Sequence, residues 1–388
     1  MFEYFEGNYP WNLATSMVLN SGGQISEVED ALAAIRDAGP GATDQGNEAF
    51  CKAWKSAAER VERLAEADEA RGNRRAAGGK YARVAGYYFA AERQTSRQDP
   101  ERPLLYRSML DTFAKYIALR QEPCERIEIP YENGQTLPAL YVRGKGDAAR
   151  KPCVVHFDGM DVNKEWLYLS GMPTELAQRG VSTLVVDHPG VGEALRRGMK
   201  GIVETERAAS ACVDWLETRE DVHPDRIGMM ALSLGGYYSM RAAAFEPRFR
   251  CAVAWGAAYD FGARLALKLQ GTGTPPSLHH FYDHVQWFTG ASNMDEALAF
   301  ARRLTLNGIL DRIRCPVLIA HGENDRQVPL DDAKRVFAEA VNSVGKELKV
   351  HTIAEGGSEH CSVDNLSITT DYIAHWIART LGAPKELA

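Results

Sequence analysis

No apolar run in this chain approaches the roughly 20 residues that a bilayer span requires, so a membrane protein is not expected. The start, Met1-Phe2-Glu3-Tyr4-Phe5-Glu6, is acidic and lacks the basic opening of a secretory signal, so none is expected. The seven cysteines (Cys51, Cys124, Cys153, Cys212, Cys251, Cys315, Cys361) are odd in number and scattered, and they contain no C-x-x-C pair. That argues against a disulfide framework and for reduced, cytoplasmic thiols, several of them in apolar strand-like runs where cysteine acts as a small hydrophobe. A basic excess is lacking too: a net charge of -7 argues against a nucleic-acid partner. There is no G-x-G-x-x-G; Asp187-His188-Pro189-Gly190-Val191-Gly192 fails that dinucleotide fingerprint and reads as a turn after a strand. His279, His280 and His284 have no partner cluster at metal-ligand spacing, so packing is expected of them, and no metal or cofactor. Repeats and low-complexity tracts are absent.

What remains is an ordinary globular composition, 45% hydrophobic and 25% charged, on a chain of 388 residues. That length exceeds what one core usually holds, so a large domain with a substantial addition is expected. The character changes near residue 125. From Ser26 to Gln121 the chain is rich in Ala, Glu and Arg, and Phe50, Trp54, Ala57, Val61 and Leu64 fall at helical spacing. Gly72-Asn73 breaks that helix, a second runs through Tyr81, Tyr87, Tyr88 and Phe89, and a third spans Leu105 to Leu119. The aromatics are expected to pack in the core of a strandless domain covering residues 1–125.

From Arg126 onward strands alternate with helices. Arg126 to Pro130 and Leu137 to Val142 flank Asn133-Gly134, a hairpin signal. Short apolar runs follow at Cys153–Phe157, Ser182–Val186, Ile227–Leu232, Cys251–Trp255, Val317–Ala320 and Leu348–Ile353. Strands buried on both faces read this way, so residues 126–388 are expected to form a mostly parallel, doubly wound sheet, with a small lid insertion over about 262–308.

The run Ile227 to Leu232 leads into Ser233-Leu234-Gly235-Gly236 and then a helix from Tyr237 to Phe245. This is the strand–turn–helix context of a nucleophile elbow, with Ala231 at the position of its first glycine. Large residues beside such a strained turn would collide with the backbone, and Ala231, Gly235 and Gly236 are small. Ser233 is therefore the candidate nucleophile. A serine hydroxyl is weak until a base takes its proton. In this fold the acid and base follow the serine in that order, each after a later strand. His321-Gly322-Glu323-Asn324-Asp325 puts Asp325 in the turn after Val317–Ala320, with Glu323 as a weaker competitor nearer the strand. Gly356-Gly357-Ser358-Glu359-His360 supplies His360 as base, on a glycine-rich loop, whereas His351 lies inside a strand.

An oxyanion hole needs two backbone N–H groups. Leu234 supplies one, and the loop Asp158-Gly159-Met160-Asp161 supplies the other, from Met160 or alternatively Gly159. Asp158 is unusual there: its carboxylate would oppose an oxyanion, so it either points away or contacts a polar group of the substrate. Tyr259 and Asp260, at the end of the strand after the nucleophile helix, are candidate substrate contacts.

With these residues in place the chain resembles one branch of the α/β hydrolases. The branch includes the 2,6-dihydroxypseudooxynicotine hydrolases, the fungal polyketide-shortening hydrolases and the fermentation–respiration switch proteins. The likeness is carried by the helical N-terminal half, by Asp158 to Glu165, by Asp187 to Glu193, and by Ser233-Leu234-Gly235-Gly236. Glu246-Pro247-Arg248, Val253-Ala254-Trp255-Gly256, Cys315-Pro316 and His360-Cys361 add to it. The resemblance implies an α/β-hydrolase fold with a helical cap domain, a homodimer, and hydrolysis of a carbon–carbon bond next to a carbonyl in a small, β-diketone-like or polyketide-derived molecule. A carboxylesterase or lactonase would use the same triad, and a non-catalytic binding protein could keep the same fold.

Overall fold

Helices dominate the first third of the chain because apolar residues recur there at helical spacing. The Asn8 side chain accepts from Trp11 N–H, and Pro10 stands in the first turn of α1 (Tyr9–Asn20). Next come α2 (Ile25–Leu32), α3 (Asp44–Ala70), α4 (Arg74–Gln94) and α5 (Arg102–Arg120). The computed structural model describes residues 1–38, 44–384 and 387. One compact unit comprises Met1–Pro123 and Pro275–His284; the other comprises Cys124–Thr274 and Val285–Ala388.

In the helical unit Phe50, Trp54, Ala57 and Val61 are buried, and so are Tyr81, Tyr87, Tyr88 and Phe89. Leu64, however, is 49% exposed, and its neighbour Ala65 takes the buried place. Four residues beyond Val61 the helix has turned far enough that Ala65 faces inward instead. Trp11 stacks on Phe50 at 4.8 Å between ring centroids, and Trp54 on Tyr87 at 5.6 Å. Segment 275–284, from within the stretch expected to form a lid, belongs to this unit because polar groups at the end of α4 hold it. His279 N–H donates to Gln94 Oε1 at 3.1 Å, and Asp283 accepts from Gln98 Nε2 and Arg97 Nε, both at 2.9 Å.

The second unit is an α/β-hydrolase fold. It opens with a hairpin of β1 (Cys124–Pro130) and β2 (Thr136–Val142), turned through Asn133 and Gly134, both at positive φ. Then come β3 (Lys151–Phe157), α6 (Lys164–Leu169), α7 (Met172–Gln178), β4 (Ser182–Val186), α8 (Gly192–Arg196), α9 (Glu206–Glu217), β5 (Val222–Leu232), α10 (Gly235–Phe245) and β6 (Phe249–Trp255). After α11 (Phe261–Leu269), α12 (Phe281–Thr289) and α13 (Met294–Ala301), the chain returns through β7 (Val317–Gly322), α14 (Leu330–Glu339), β8 (Lys346–His351) and α15 (Leu366–Thr380). These strands form one sheet in the order β1-β2-β4-β3-β5-β6-β7-β8, and β3 to β8 are parallel. β3, β4 and β7 are buried at every position, as strands covered on both faces must be.

The excursion after β6 is closed at its neck. Phe261 N–H donates to Leu304 O at 3.0 Å, and Leu306 N–H donates to Tyr259 O at 2.9 Å. No helix among the described residues is long and apolar enough to cross a membrane.

Candidate active site

Parallel strands of an open sheet end on one side, and candidate residues from β3, β5, β7 and β8 collect there. Ser233 stands between β5 and α10 with φ +64°, a left-handed conformation rare for a residue with a side chain. Its N–H donates to Trp255 O at 2.8 Å, and its carbonyl accepts from Gly236 N–H at 2.9 Å. A Cβ on Gly235 would lie 2.6 Å from Ala231 Cβ, and one on Gly236 would lie 2.6 Å from Gly256 O. Side chains are thus excluded at the turn, while Ser233 stays partly exposed between buried Leu232 and Leu234.

His360 reaches the serine hydroxyl: Nε2 lies 2.8 Å from Ser233 Oγ, and Nδ1 lies 2.8 Å from Asp325 Oδ2 and 2.9 Å from Oδ1. A carboxylate only accepts, so Nδ1 carries the hydrogen and Nε2 of the neutral ring is free to accept from the serine. Burial opposes charge on this imidazole, but the Asp325 carboxylate outweighs it and lifts the ring's pKa well above 6.5. Burial would likewise raise Asp325, yet His360 and the surrounding donors hold its carboxyl below the usual range. Asp325 Oδ1 also accepts from Gln327 N–H at 2.7 Å and Val328 N–H at 2.9 Å, which fixes the carboxylate plane.

The loops bearing acid and base are joined through backbone. Asn324 N–H donates to Ser358 O at 2.8 Å, and a Cβ on Gly322 would fall 2.2 Å from that same oxygen. Asp364 accepts from the N–H groups of Ser358 and Glu359, both at 3.0 Å, and so shapes the turn before His360. Sequence reasoning did not single out Asp364; an aspartate four residues after the base was the available signal. Cys361 Sγ lies 3.7 Å from His360 Nε2 and donates to Trp255 O at 3.4 Å.

The loop after β3 lies against the serine: a Cβ on Gly159 would stand 2.8 Å from Ser233 Cβ and 2.9 Å from Leu232 O. Asp158 is fully buried and turns its carboxyl back into its own loop, accepting from Gly159 N–H and from Val162 N–H at 3.0 Å. Of the two orientations open from sequence, these bonds favour the one turned into its own loop. Burial, with Asp161 nearby, pushes its carboxyl well above the ordinary range despite those two donors, which softens its conflict with an oxyanion. Gly159 N–H is thereby engaged by the Asp158 carboxyl.

Two candidate substrate contacts make internal hydrogen bonds. Tyr259 is 2% exposed, and its hydroxyl donates to Glu339 Oε2 at 2.7 Å beneath the Arg335 guanidinium, 3.8 Å from the ring centroid. Asp260 caps α11 by accepting from Ala263 N–H at 2.8 Å. The Tyr259 side chain thus bonds to α14 and that of Asp260 to the first turn of α11. Glu323 is exposed and accepts from Ile353 N–H at 3.0 Å rather than from His360. His351 is buried, and burial drives its pKa down to about 4. His279, His280 and His284 all fall in segment 275–284 of the helical unit. Among the described residues no group of three His, Cys, Asp or Glu is arranged to hold a metal ion.

Residues 170–384 match the model of the prolyl oligopeptidase family. The chain is 26% identical to Hydrolase LUC6 of a Fusarium species, over 94% of each chain. It is 29% identical to the 2,6-dihydropseudooxynicotine hydrolase of Paenarthrobacter nicotinovorans, over 72% of this chain and 71% of that one. The crystal structure of the 2,6-dihydroxy-pseudo-oxynicotine hydrolase superposes with a TM-score of 0.74 at 24% identity, covering 94% of this chain and 95% of that one. The chain belongs to the prolyl oligopeptidase family and is an α/β-hydrolase enzyme whose likeness lies with the 2,6-dihydropseudooxynicotine and fungal hydrolases.

Proposed function

We propose that Ser233 is the nucleophile, His360 the base and Asp325 the acid of a serine hydrolase that cleaves a carbon–carbon bond beside a carbonyl. The observation that carries the triad is the continuous path from Ser233 Oγ through the His360 ring to Asp325, 2.8 Å at each step. The hydroxyl proton passes to Nε2 as Oγ adds to the ketone carbon, and the resulting alkoxide is met by the N–H groups of Leu234 and Met160. Collapse breaks the carbon–carbon bond. The electron pair leaves on a carbon that must be delocalised as an enolate or a phenolic ring, and it takes the proton from His360. Water, deprotonated by His360, then releases the acyl group from Ser233 as a carboxylic acid. The Asp325 charge favours the imidazolium in both steps.

The choice of carbon–carbon bond rests on the likeness to the 2,6-dihydropseudooxynicotine hydrolase and to the full-length fungal hydrolases. The same resemblance underlies the expectation of a homodimer, which sedimentation would check. A fluorophosphonate should label Ser233 in the folded protein; absence of labelling would favour a non-catalytic binding role. Purified enzyme should then split an aryl β-diketone. Fast turnover of p-nitrophenyl esters with no diketone cleavage would instead identify a carboxylesterase.

A further inference from the structure

Four charged side chains meet where the loop over Ser233 runs into α6. Lys164 is the first residue of that helix, and its side chain is 0% exposed. Its Nζ donates to Asp187 Oδ2 at 3.0 Å, Glu193 Oε2 at 2.8 Å and Glu165 Oε1 at 2.8 Å. Its backbone N–H donates to Asp187 Oδ1 at 2.8 Å, so one carboxylate grips both ends of the residue. Asp187 directly follows β4, which runs parallel to β3 with Val186 opposite Phe157. The far end of the loop is thereby tied to the end of the neighbouring strand.

The surroundings are shaped for this grip. Gly192, at φ +47°, passes so close to Asp187 that a Cβ would fall 2.2 Å from the carboxyl carbon. Glu193 N–H donates to Asp187 Oδ2 at 2.8 Å. Burial would raise the Glu193 carboxyl, but Lys164, Arg126 and Arg197 hold it down at about 2. Glu165 has Lys164 at 2.8 Å, yet burial still pushes its carboxyl up, and among the described residues its Oε2 has no hydrogen-bond partner.

Stability is a poor explanation for such a cluster. Taking four charges out of water costs desolvation that their attraction often fails to recover, and apolar side chains of similar size would serve a core equally well. What a charge cluster adds is direction: each bond has one geometry. Here the directed bonds end at the loop whose other end Asp158 clamps through Gly159 and Val162.

We propose that Lys164, anchored on Asp187, is a positioning residue that holds the Gly159–Met160 backbone over Ser233 at the distance where an N–H meets the developing oxyanion. The inference rests on the serine-hydrolase reading above. Lys164 touches no reacting atom; it acts through the loop.

The test compares wild type with Lys164→Met, Lys164→Arg and Asp187→Asn. Measured for each are the rate of fluorophosphonate labelling at Ser233, kcat and KM on p-nitrophenyl acetate, and inhibition by phenylboronic acid, all per folded molecule. Loss of the grip should lower kcat and the labelling rate of Lys164→Met about a hundredfold, because a displaced donor costs on that order. KM should stay within about threefold, and boronic-acid binding, which forms the tetrahedral anion, should weaken in step with kcat. Lys164→Arg should recover part of the loss, and Asp187→Asn should fall between Arg and Met. If the variants only melt earlier while folded enzyme keeps wild-type kcat and boronate affinity, the proposal is overturned. Should Lys164→Met fail to fold, Asp187→Asn and Lys164→Arg decide by the same criterion. Wild type that does not label at Ser233 removes the serine-hydrolase reading and this inference together; wild type and variants that label equally fast remove the inference alone.

Discussion

The Ser233–His360–Asp325 path and the Asp158–Lys164 loop stand at the same end of one sheet, yet different forces hold them. The first is assembled from strand ends and backbone turns. Ser233 is seated by its N–H on Trp255 O, and the acid and base loops share the bond from Asn324 N–H to Ser358 O. The second is held by buried polar side chains, with the Asp158 carboxyl at one end and the Lys164 charge cluster at the other. The contrast teaches that chemistry and aim are encoded separately. A candidate residue announces itself by type and by its place after a strand, while the salt bridges that brace a loop join distant segments.

Experiments can break that contrast. The largest effect is expected from Ser233→Ala, which should cost about a millionfold in kcat if the triad acts as a unit, while urea unfolding shows a stable fold. Asp325→Asn should cost roughly ten-thousandfold, and it should also move the pH profile. Activity needs neutral His360 and is therefore present above the ring's pKa and lost below it. With Asp325 lifting that pKa, the acid limb of kcat/KM in wild type should lie above pH 6.5. Without the carboxylate, burial dominates and the residual activity should persist to lower pH. An acid limb that stays put would remove Asp325 from its assigned role.

A smaller effect tests the loop. Gly159→Ala puts a methyl 2.8 Å from Ser233 Cβ and 2.9 Å from Leu232 O, both unable to retreat. The loop must shift, and kcat should fall about a hundredfold with thermal stability reduced only modestly. The smallest effect concerns the residues that strand-end position suggested as substrate contacts. Asp260→Ala removes the cap of α11 and should cost about 1 kcal/mol of stability, with kcat/KM within about twofold of wild type. A large KM change there would return Asp260 to the substrate pocket.

Much of the architecture was legible because its signals are local. The runs Cys153–Phe157, Ser182–Val186 and Val317–Ala320 became strands β3, β4 and β7, since only strands covered on both faces are apolar without alternation. The turn at Ser233 was legible through its small neighbours, for the reason its contacts display: a carbon added at Gly235 would meet Ala231, and one at Gly236 would meet Gly256. For Tyr259 and Asp260 a strand end says where a residue stands but not which way its side chain turns. In both, a partner from another segment or the first turn of α11 claims the polar group. Leu64 went astray by one residue over a long helix, where a small error in phase exchanges inside for outside.

The sequence by itself determined which residues could carry the chemistry and in what order they arrive, because strand–turn–helix patterns and small-residue requirements act over a few neighbouring positions. Tertiary structure alone decided that Lys164 meets Asp187 and Glu193, separated from it by 23 and 29 residues, in one buried cluster. It also decided that Asp158 turns into its own loop and engages Gly159 N–H. Both outcomes depend on desolvation and on strand register, which are properties of the packed sheet and not of any short stretch of chain.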